Sequence, residues 1–352
     1  MDRVLQEDLE AIAKSDLPYD AFNHKTVLIT GATGLIGASL VRALVKIANT
    51  RKIHVKIFAL VRDQKKAYRI FGDLDAHPEL SFVIGDIINP IMVWDKIDYI
   101  IHCASVTASK TMVTYPVETI MTSVLGTKNI LDLAQRQNTE SVVYISSMEM
   151  YGAFDESVSE VTESDIGFID PLAVRSNYPE SKRLCENMCE AYLQEYNVPV
   201  KIARLAQTFG AGILEGENRI FAQFARSVIE NRNIVLHTKG QSEGNYCYLR
   251  DVVLGVFTIL LKGKNGEAYN VSNPETHATI ANMAQMVCEK VANNKIKVEF
   301  DIPADNKFGY AADTKMKLNS DKLQNLGWKP EIGLEEAYRR LICSMMSNGE
   351  CK

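Results

Sequence analysis

Residues 25–37, Lys-Thr-Val-Leu-Ile-Thr-Gly-Ala-Thr-Gly-Leu-Ile-Gly, constrain this chain more than any other stretch. Val27, Leu28 and Ile29 read as a buried strand, Gly31, Gly34 and Gly37 follow at three-residue spacing, and Ala38 to Val45 continue as a helix. Glycines so placed let the backbone turn tightly, approach a pyrophosphate with no β-carbon in the way, and pack the following helix closely. A helix opening near Leu35 offers unpaired N–H groups and the positive end of its dipole to phosphate. The strand before the glycines and the helix after them make this a dinucleotide-binding turn rather than a structural one. Its contacts are expected from Gly31, Thr33, Gly34, Leu35, Ile36 and Gly37.

Strand and helix signals alternate beyond the turn: strands at 53–61, 80–84, 97–103 and 141–147, and a helix over 116–137. Such alternation implies an α/β fold, a Rossmann-type doubly wound parallel sheet with helices on both faces. Ligands in these sheets lie outside the carboxyl ends of the strands. At 352 residues the chain can bury a large core, as one large or two smaller lobes. Residues 1–24 carry an amphipathic pattern (Leu5, Leu9, Ile12, Ala13) that predicts an N-terminal helix on the surface or on a partner subunit.

A formal net charge of -5 leaves no basic excess for a nucleic-acid backbone, so nucleic acid is excluded as the expected partner. No apolar run reaches the roughly 20 residues that span a bilayer, and the N-terminus is acidic rather than signal-like, so a cytoplasmic protein without membrane contact is expected. Seven cysteines lie scattered without paired metal spacing, which predicts reduced thiols and no metal site. Cys185 and Cys189 sit at helical spacing, as packing residues do.

After the second strand, Val61 stands where an acid would hold the ribose 2′-hydroxyl of NAD, and Arg62 follows, which favours NADP over NAD. After the third, Asp86 and Ile87 are placed by the adenine. After the fourth, Cys103, Ala104 and Ser105 line the cofactor, and the preceding His102 reads as a packed histidine. Two further segments carry chemistry: Ser146-Ser147-Met148-Glu149-Met150-Tyr151-Gly152 at a strand end and Tyr178-Pro179-Glu180-Ser181-Lys182 opening a helix. Tyr178 and Lys182 are four apart and share a helix face. The lysine ammonium and an oxidised nicotinamide both favour a phenolate, making Tyr178 a usable base, and Ser147 would orient the same substrate hydroxyl.

With these motifs in this order, and the tail Leu323-Gln324-Asn325-Leu326-Gly327-Trp328-Lys329-Pro330, the chain resembles the extended short-chain dehydrogenase/reductases of the nucleotide-sugar epimerase/dehydratase group from Lys25 to about Ala337. The resemblance implies a mainly cofactor-binding lobe over 25–200 and a smaller α/β substrate lobe over 201–352, interleaved with it. It also implies a nucleoside-diphosphate sugar between them, a homodimer through the helices near 116–137 and 178–195, and a role in surface-polysaccharide precursor synthesis. The implied catalytic set is Ser147, Glu149, Tyr178 and Lys182, with Tyr178 and Lys182 also touching the cofactor; substrate contacts are expected at Ser146, Met148, Gln207, Arg219 and Tyr248.

Within the group, oxidation at C4 acidifies the C5 proton, which a carboxylate such as Glu149 can then remove. Members resembling 4,6-dehydratases carry Asp-Glu, those resembling uronate decarboxylases Ser/Thr-x-Glu, and this chain has Met148-Glu149. A dehydratase or decarboxylase is the first expectation; a 4-epimerase or NADPH-dependent 4-keto reductase with a structural Glu149 is the second; a non-catalytic NAD(P)-binding protein is the third. Two departures stand out: Gln207 where the group has Asn, and Gly244 where it has an Arg on the diphosphate, with Arg219 and Arg226 as candidate replacements.

Overall fold

The computed structural model describes residues 2–346 except 75, 76, 156, 215 and 304–313. Its centre is a seven-stranded sheet made of β1 (Lys25–Thr30), β2 (Val55–Val61), β3 (Leu80–Ile84), β4 (Tyr99–His102), β5 (Ser141–Ser147), β6 (Val200–Leu205) and the strand Ala268–Val271. The strands run parallel in the order Ala268–Val271, β6, β5, β4, β1, β2, β3. The order reverses between β1 and β4, which opens a crevice at the carboxyl ends of those two strands.

The strand β1 shows why the sheet is covered on both sides. Side chains alternate across a strand, so a continuous apolar run must be buried on both faces. Val27 and Ile29 join the core that contains Leu40, Val41 and Leu44 of α2 (Leu35–Arg51) and Val256 of α8 (Leu249–Lys262). Leu28 points the other way, into the core with Ile130 of α5 (Pro116–Gln137) and Cys185 of α6 (Asn177–Tyr196). Cys189 lies in the same core, and Cys103, Cys185, Cys189, Cys247 and Cys288 are free thiols, whereas Cys343 is disulfide-bonded, which corrects the expectation of reduced thiols at that position. Shorter helices follow β2 and β4: α3 (Gln64–Phe71) and α4 (Ser109–Thr114).

A separate aromatic-rich core gathers Phe209, Phe221 and Phe224 of α7 (Ile220–Ile229), Tyr246, Tyr248 and Tyr338. The outer strand Ala268–Val271 and α8 come from sequence beyond residue 200 yet pack on the central sheet. The N-terminal helix α1 (Arg3–Lys14) buries Leu9, Ile12 and Ala13 against the main core. Its Asp8 reaches the second core, accepting hydrogen bonds from the Tyr248 hydroxyl at 2.7 Å and Arg340 at 2.9 Å. The helix therefore straps one core to the other within the chain. Among the described residues, no helix is long and apolar enough to cross a membrane.

Candidate active site

The glycine turn closes directly on the end of β4. Gly31 has φ +62, and a β-carbon there would meet the Ala104 nitrogen at 2.8 Å and the Cys103 carbonyl carbon at 2.9 Å. A β-carbon on Gly37 would lie 2.3 Å from the Gly31 carbonyl oxygen, so α2 can start against the turn only with glycine at this position. Gly34 caps α2 without a side-chain hydrogen bond to its first N–H groups. Thr33, Gly34, Leu35 and Ile36 keep accessible surface around that helix start. This cradle fits a dinucleotide pyrophosphate, with donors and dipole aimed at the phosphates.

The residues after the other strands flank the cradle. Asp63 caps α3, accepting from the Lys66 nitrogen at 3.0 Å, and exposed Arg62 lies 3.9 Å from Asp86. Ile87 turns its side chain into the core, where it meets the face of α5 at Gly126, and its carbonyl accepts from Asn129 at 2.9 Å. Cys103, Ala104 and Ser105 are half-buried along the crevice, and burial pushes the Cys103 thiol up to about 12. His102 is a packed residue: its Nδ1 pairs with Thr30 at 2.7 Å, its Nε2 with Thr127 at 3.3 Å, and burial then Lys182 push its pKa down to about 3.

The residues expected to be catalytic come from the end of β5, the turn that follows it, and α6. Lys182 is buried, donates to the Ile145 carbonyl at 2.7 Å and lies 5.6 Å from the centre of the Tyr178 ring. Burial lowers its pKa to about 8. Tyr178 is pushed up to about 12 by burial first and the Glu149 carboxylate second, while a Ser147 hydrogen bond and the charges of Arg175 and Arg219 pull it down. Ser147, Glu149, Arg175 and Arg219 therefore all bear on the Tyr178 phenol.

Glu149 sits on a single helical turn, Met148–Tyr151, that begins at the end of β5, and its own nitrogen donates to Ser147 Oγ at 3.2 Å. Arg183, next to Lys182, fixes this turn by donating to the carbonyls of Met150 (2.6 Å), Tyr151 (3.0 Å) and Gly167 (2.7 Å). The Glu149 carboxylate accepts from Arg175 at 2.9 Å, and that guanidinium lies 5.8 Å from the Tyr178 ring centre. Arg175 is the site residue the sequence did not disclose. The available signal was its place three residues before Tyr178, about one turn away along the chain.

Two expected substrate contacts need correction, Ser146 and Tyr248. Ser146 is buried and donates to Glu186 at 2.5 Å, because neighbours on β5 point to opposite faces and Ser147 takes the site side. Tyr248 belongs to the second core, with its hydroxyl committed to Asp8. Met148 is buried, and its Cε lies 3.4 Å from where a β-carbon of Gly244 would stand. Gln207 is exposed at the start of its short strand. Arg219 is paired with Glu217 at 2.7 Å, and Arg226 donates to the Glu217 carbonyl at 2.7 Å.

A family model described as "NAD dependent epimerase/dehydratase family" matches residues 27–272, which hold the glycine cradle and the Ser147, Tyr178 and Lys182 set. The chain belongs to this family. Among curated relatives, it is 28% identical to UDP-glucuronic acid decarboxylase 1 of Danio rerio over 324 residues, 91% of this chain and 72% of that protein. It is 29% identical to UDP-glucuronic acid decarboxylase 6 of Arabidopsis thaliana over 89% of this chain and 87% of that one. Among solved structures, the UDP-glucose 4-epimerase of Thermotoga maritima superposes with a TM-score of 0.77 at 19% identity, covering 91% of this chain and 98% of that one, a likeness of fold. The epimerase/dehydratase fold thus accounts for the sheet order and for the crevice in which these side chains meet.

Proposed function

We propose that this family member oxidises C4 of a nucleoside-diphosphate sugar to a ketone and then acts at C5 and C6, as a dehydratase or a decarboxylase. The observation that carries the reading is the convergence of Ser147, Lys182 and the Glu149 carboxylate on Tyr178. When bound, the oxidised nicotinamide supplies a hydride acceptor and a further positive charge. Tyr178 takes the proton of the C4 hydroxyl while Ser147 hydrogen-bonds the same oxygen, and Lys182, held by the Ile145 carbonyl, keeps its charge behind the ring. The C4 ketone then stabilises a carbanion at C5 as an enolate, and Glu149 handles the proton there. Met148 cannot donate a proton, so an elimination would rely on Glu149 as acid as well as base. Loss of CO2 needs no leaving-group acid, and the named decarboxylase relatives support that branch.

The Arg175 ion pair on Glu149 favours one second reading, a 4-epimerase or 4-keto reductase in which Glu149 is structural. Tyr178→Phe is expected to abolish cofactor reduction at 340 nm, whereas Glu149→Gln permits C4 oxidation and stops solvent deuterium from entering at C5. Full exchange in Glu149→Gln would remove Glu149 from the mechanism, and turnover of the unsubstituted protein with no deuterium at C5 would select the second reading.

For the cofactor, NADP is supported over NAD: Asp63 is occupied as a helix cap, and Arg62 is exposed at the end of β2. Ultraviolet and mass analysis of the released cofactor tests this. A homodimer through α5 and α6 is supported by the exposed apolar residues Val117, Met121 and Leu125 on α5 and Leu184 on α6. Light scattering at the twofold mass is the expected result.

A further inference from the structure

The resemblance implies an arginine where this chain has Gly244. Gly244 is buried on Met148, the residue before Glu149, so a cation at that position would stand over the catalytic turn. In this chain the turn receives a cation from Arg175. Arg175 reaches Glu149 at 2.9 Å, and both side chains remain about one-third exposed, so the pair is open to a ligand. The same guanidinium lies against Tyr178, the base for C4. Arg175 and Lys182 lie 5.8 and 5.6 Å from the centre of this ring, and the Glu149 carboxylate acts on its phenol.

We infer that Arg175 is the specificity-determining residue for an anionic substituent at C6, and that a substrate carboxylate competes with Glu149 for its guanidinium. The Glu149 carboxylate already shows the geometry that such a ligand would copy, a charge-assisted hydrogen bond to a planar fork. The exchange has two consequences. It gives a sugar acid a partner that a neutral hexose lacks, and it releases Glu149 toward C5 only when the acid is seated. This inference rests on the nucleotide-sugar reading above.

The test is calorimetric titration with UDP-glucuronic acid and UDP-glucose in the presence of cofactor, every protein carrying Tyr178→Phe so that turnover does not obscure binding. The parent is expected to bind the sugar acid more tightly by about 10- to 100-fold, the worth of one charge-assisted contact. Arg175→Met brings the two ligands to parity, and Arg175→Lys restores part of the preference. Glu149→Gln removes the competing carboxylate and widens the preference for the sugar acid over UDP-glucose, an effect that a merely structural ion pair would not produce. This arm decides the matter even if Arg175→Met folds poorly. Equal binding of both ligands by the parent, equal loss of both in Arg175→Met, or a preference no wider in Glu149→Gln would each overturn the inference alone. Binding of neither ligand by the parent would overturn the nucleotide-sugar reading and this inference with it.

Discussion

Gly37→Ala is the sharpest perturbation available, because two known effects oppose each other and the geometry decides between them. Alanine is the better helix former by about 1 kcal/mol, so propensity alone would make the substitution stabilising. The new β-carbon, however, would lie 2.3 Å from the Gly31 oxygen, 2.8 Å from the Gly31 carbonyl carbon and 2.9 Å from the Ala32 α-carbon. All three are backbone atoms, so no rotamer change relieves the contact. Restoring ordinary separations requires α2 to move by about 1 Å from the turn. Overpacking of this kind costs about 3 kcal/mol, which outweighs the propensity gain. The shift also displaces the helix N-terminus from the phosphate cradle, and a misplacement of that size is expected to lower turnover by about 100-fold. Thermal unfolding by circular dichroism and cofactor titration by calorimetry would read both effects. Gly72→Ala, where the backbone is helical and a β-carbon meets nothing within 4 Å, is the control and is expected to raise stability by about 0.5 kcal/mol and leave cofactor affinity unchanged. A Gly37→Ala protein with wild-type melting temperature and cofactor affinity would refute the account of the turn.

Two further outcomes follow from buried charges. Arg204 makes hydrogen bonds of 2.7 to 3.2 Å to Glu186 and others to Tyr151 and the Glu163 carbonyl, so Glu186→Ala strands a buried guanidinium and is expected to cost about 3–5 kcal/mol in urea denaturation; a loss below about 1 kcal/mol would show the network to be dispensable. Lys201 is buried on Ser141 Oγ at 2.6 Å, and burial lowers its pKa from 10.5 to about 8. Below pH 8 it is charged in both folded and unfolded states and the burial penalty is complete; between pH 8 and 10.5 the folded state sheds the proton first, so the penalty shrinks as pH rises. The stability of Lys201→Met relative to wild type should therefore fall from pH 7 to pH 10, and a difference independent of pH would disprove it.

The elements nearest the cofactor were legible because their signals are local. The strands over 80–84 and 141–147 and the helix over 116–137 occur at those bounds, while the strands read at 53–61 and 97–103 begin at Val55 and Tyr99. His102 was correctly read as packed, since a lone histidine inside an apolar strand must satisfy its ring locally. Ser146 and Tyr248 misled for the opposite reason. Motif adjacency puts Ser146 beside Ser147, but the strand's twofold alternation sends the two hydroxyls to opposite faces. Tyr248 lies in a segment that resembles a substrate strand, and its partner Asp8 is 240 residues away. The N-terminal helix was readable as amphipathic, but not the surface it covers, because periodicity identifies a buried stripe and says nothing of what buries it.

The sequence by itself determined the parallel sheet, the glycine turn at the start of α2 and the Tyr178/Lys182 pair, because each depends on residues within one strand, turn or helical face, where spacing is geometry. Only the tertiary structure decided that Arg175 pairs with Glu149, that Arg183 holds the turn carrying that carboxylate, and that Gly244 rests on Met148. Those relations join separate segments through the fold, and the Coulomb and hydrogen-bond energies that make them matter act over distances of a few ångströms in space, whatever the separation along the chain.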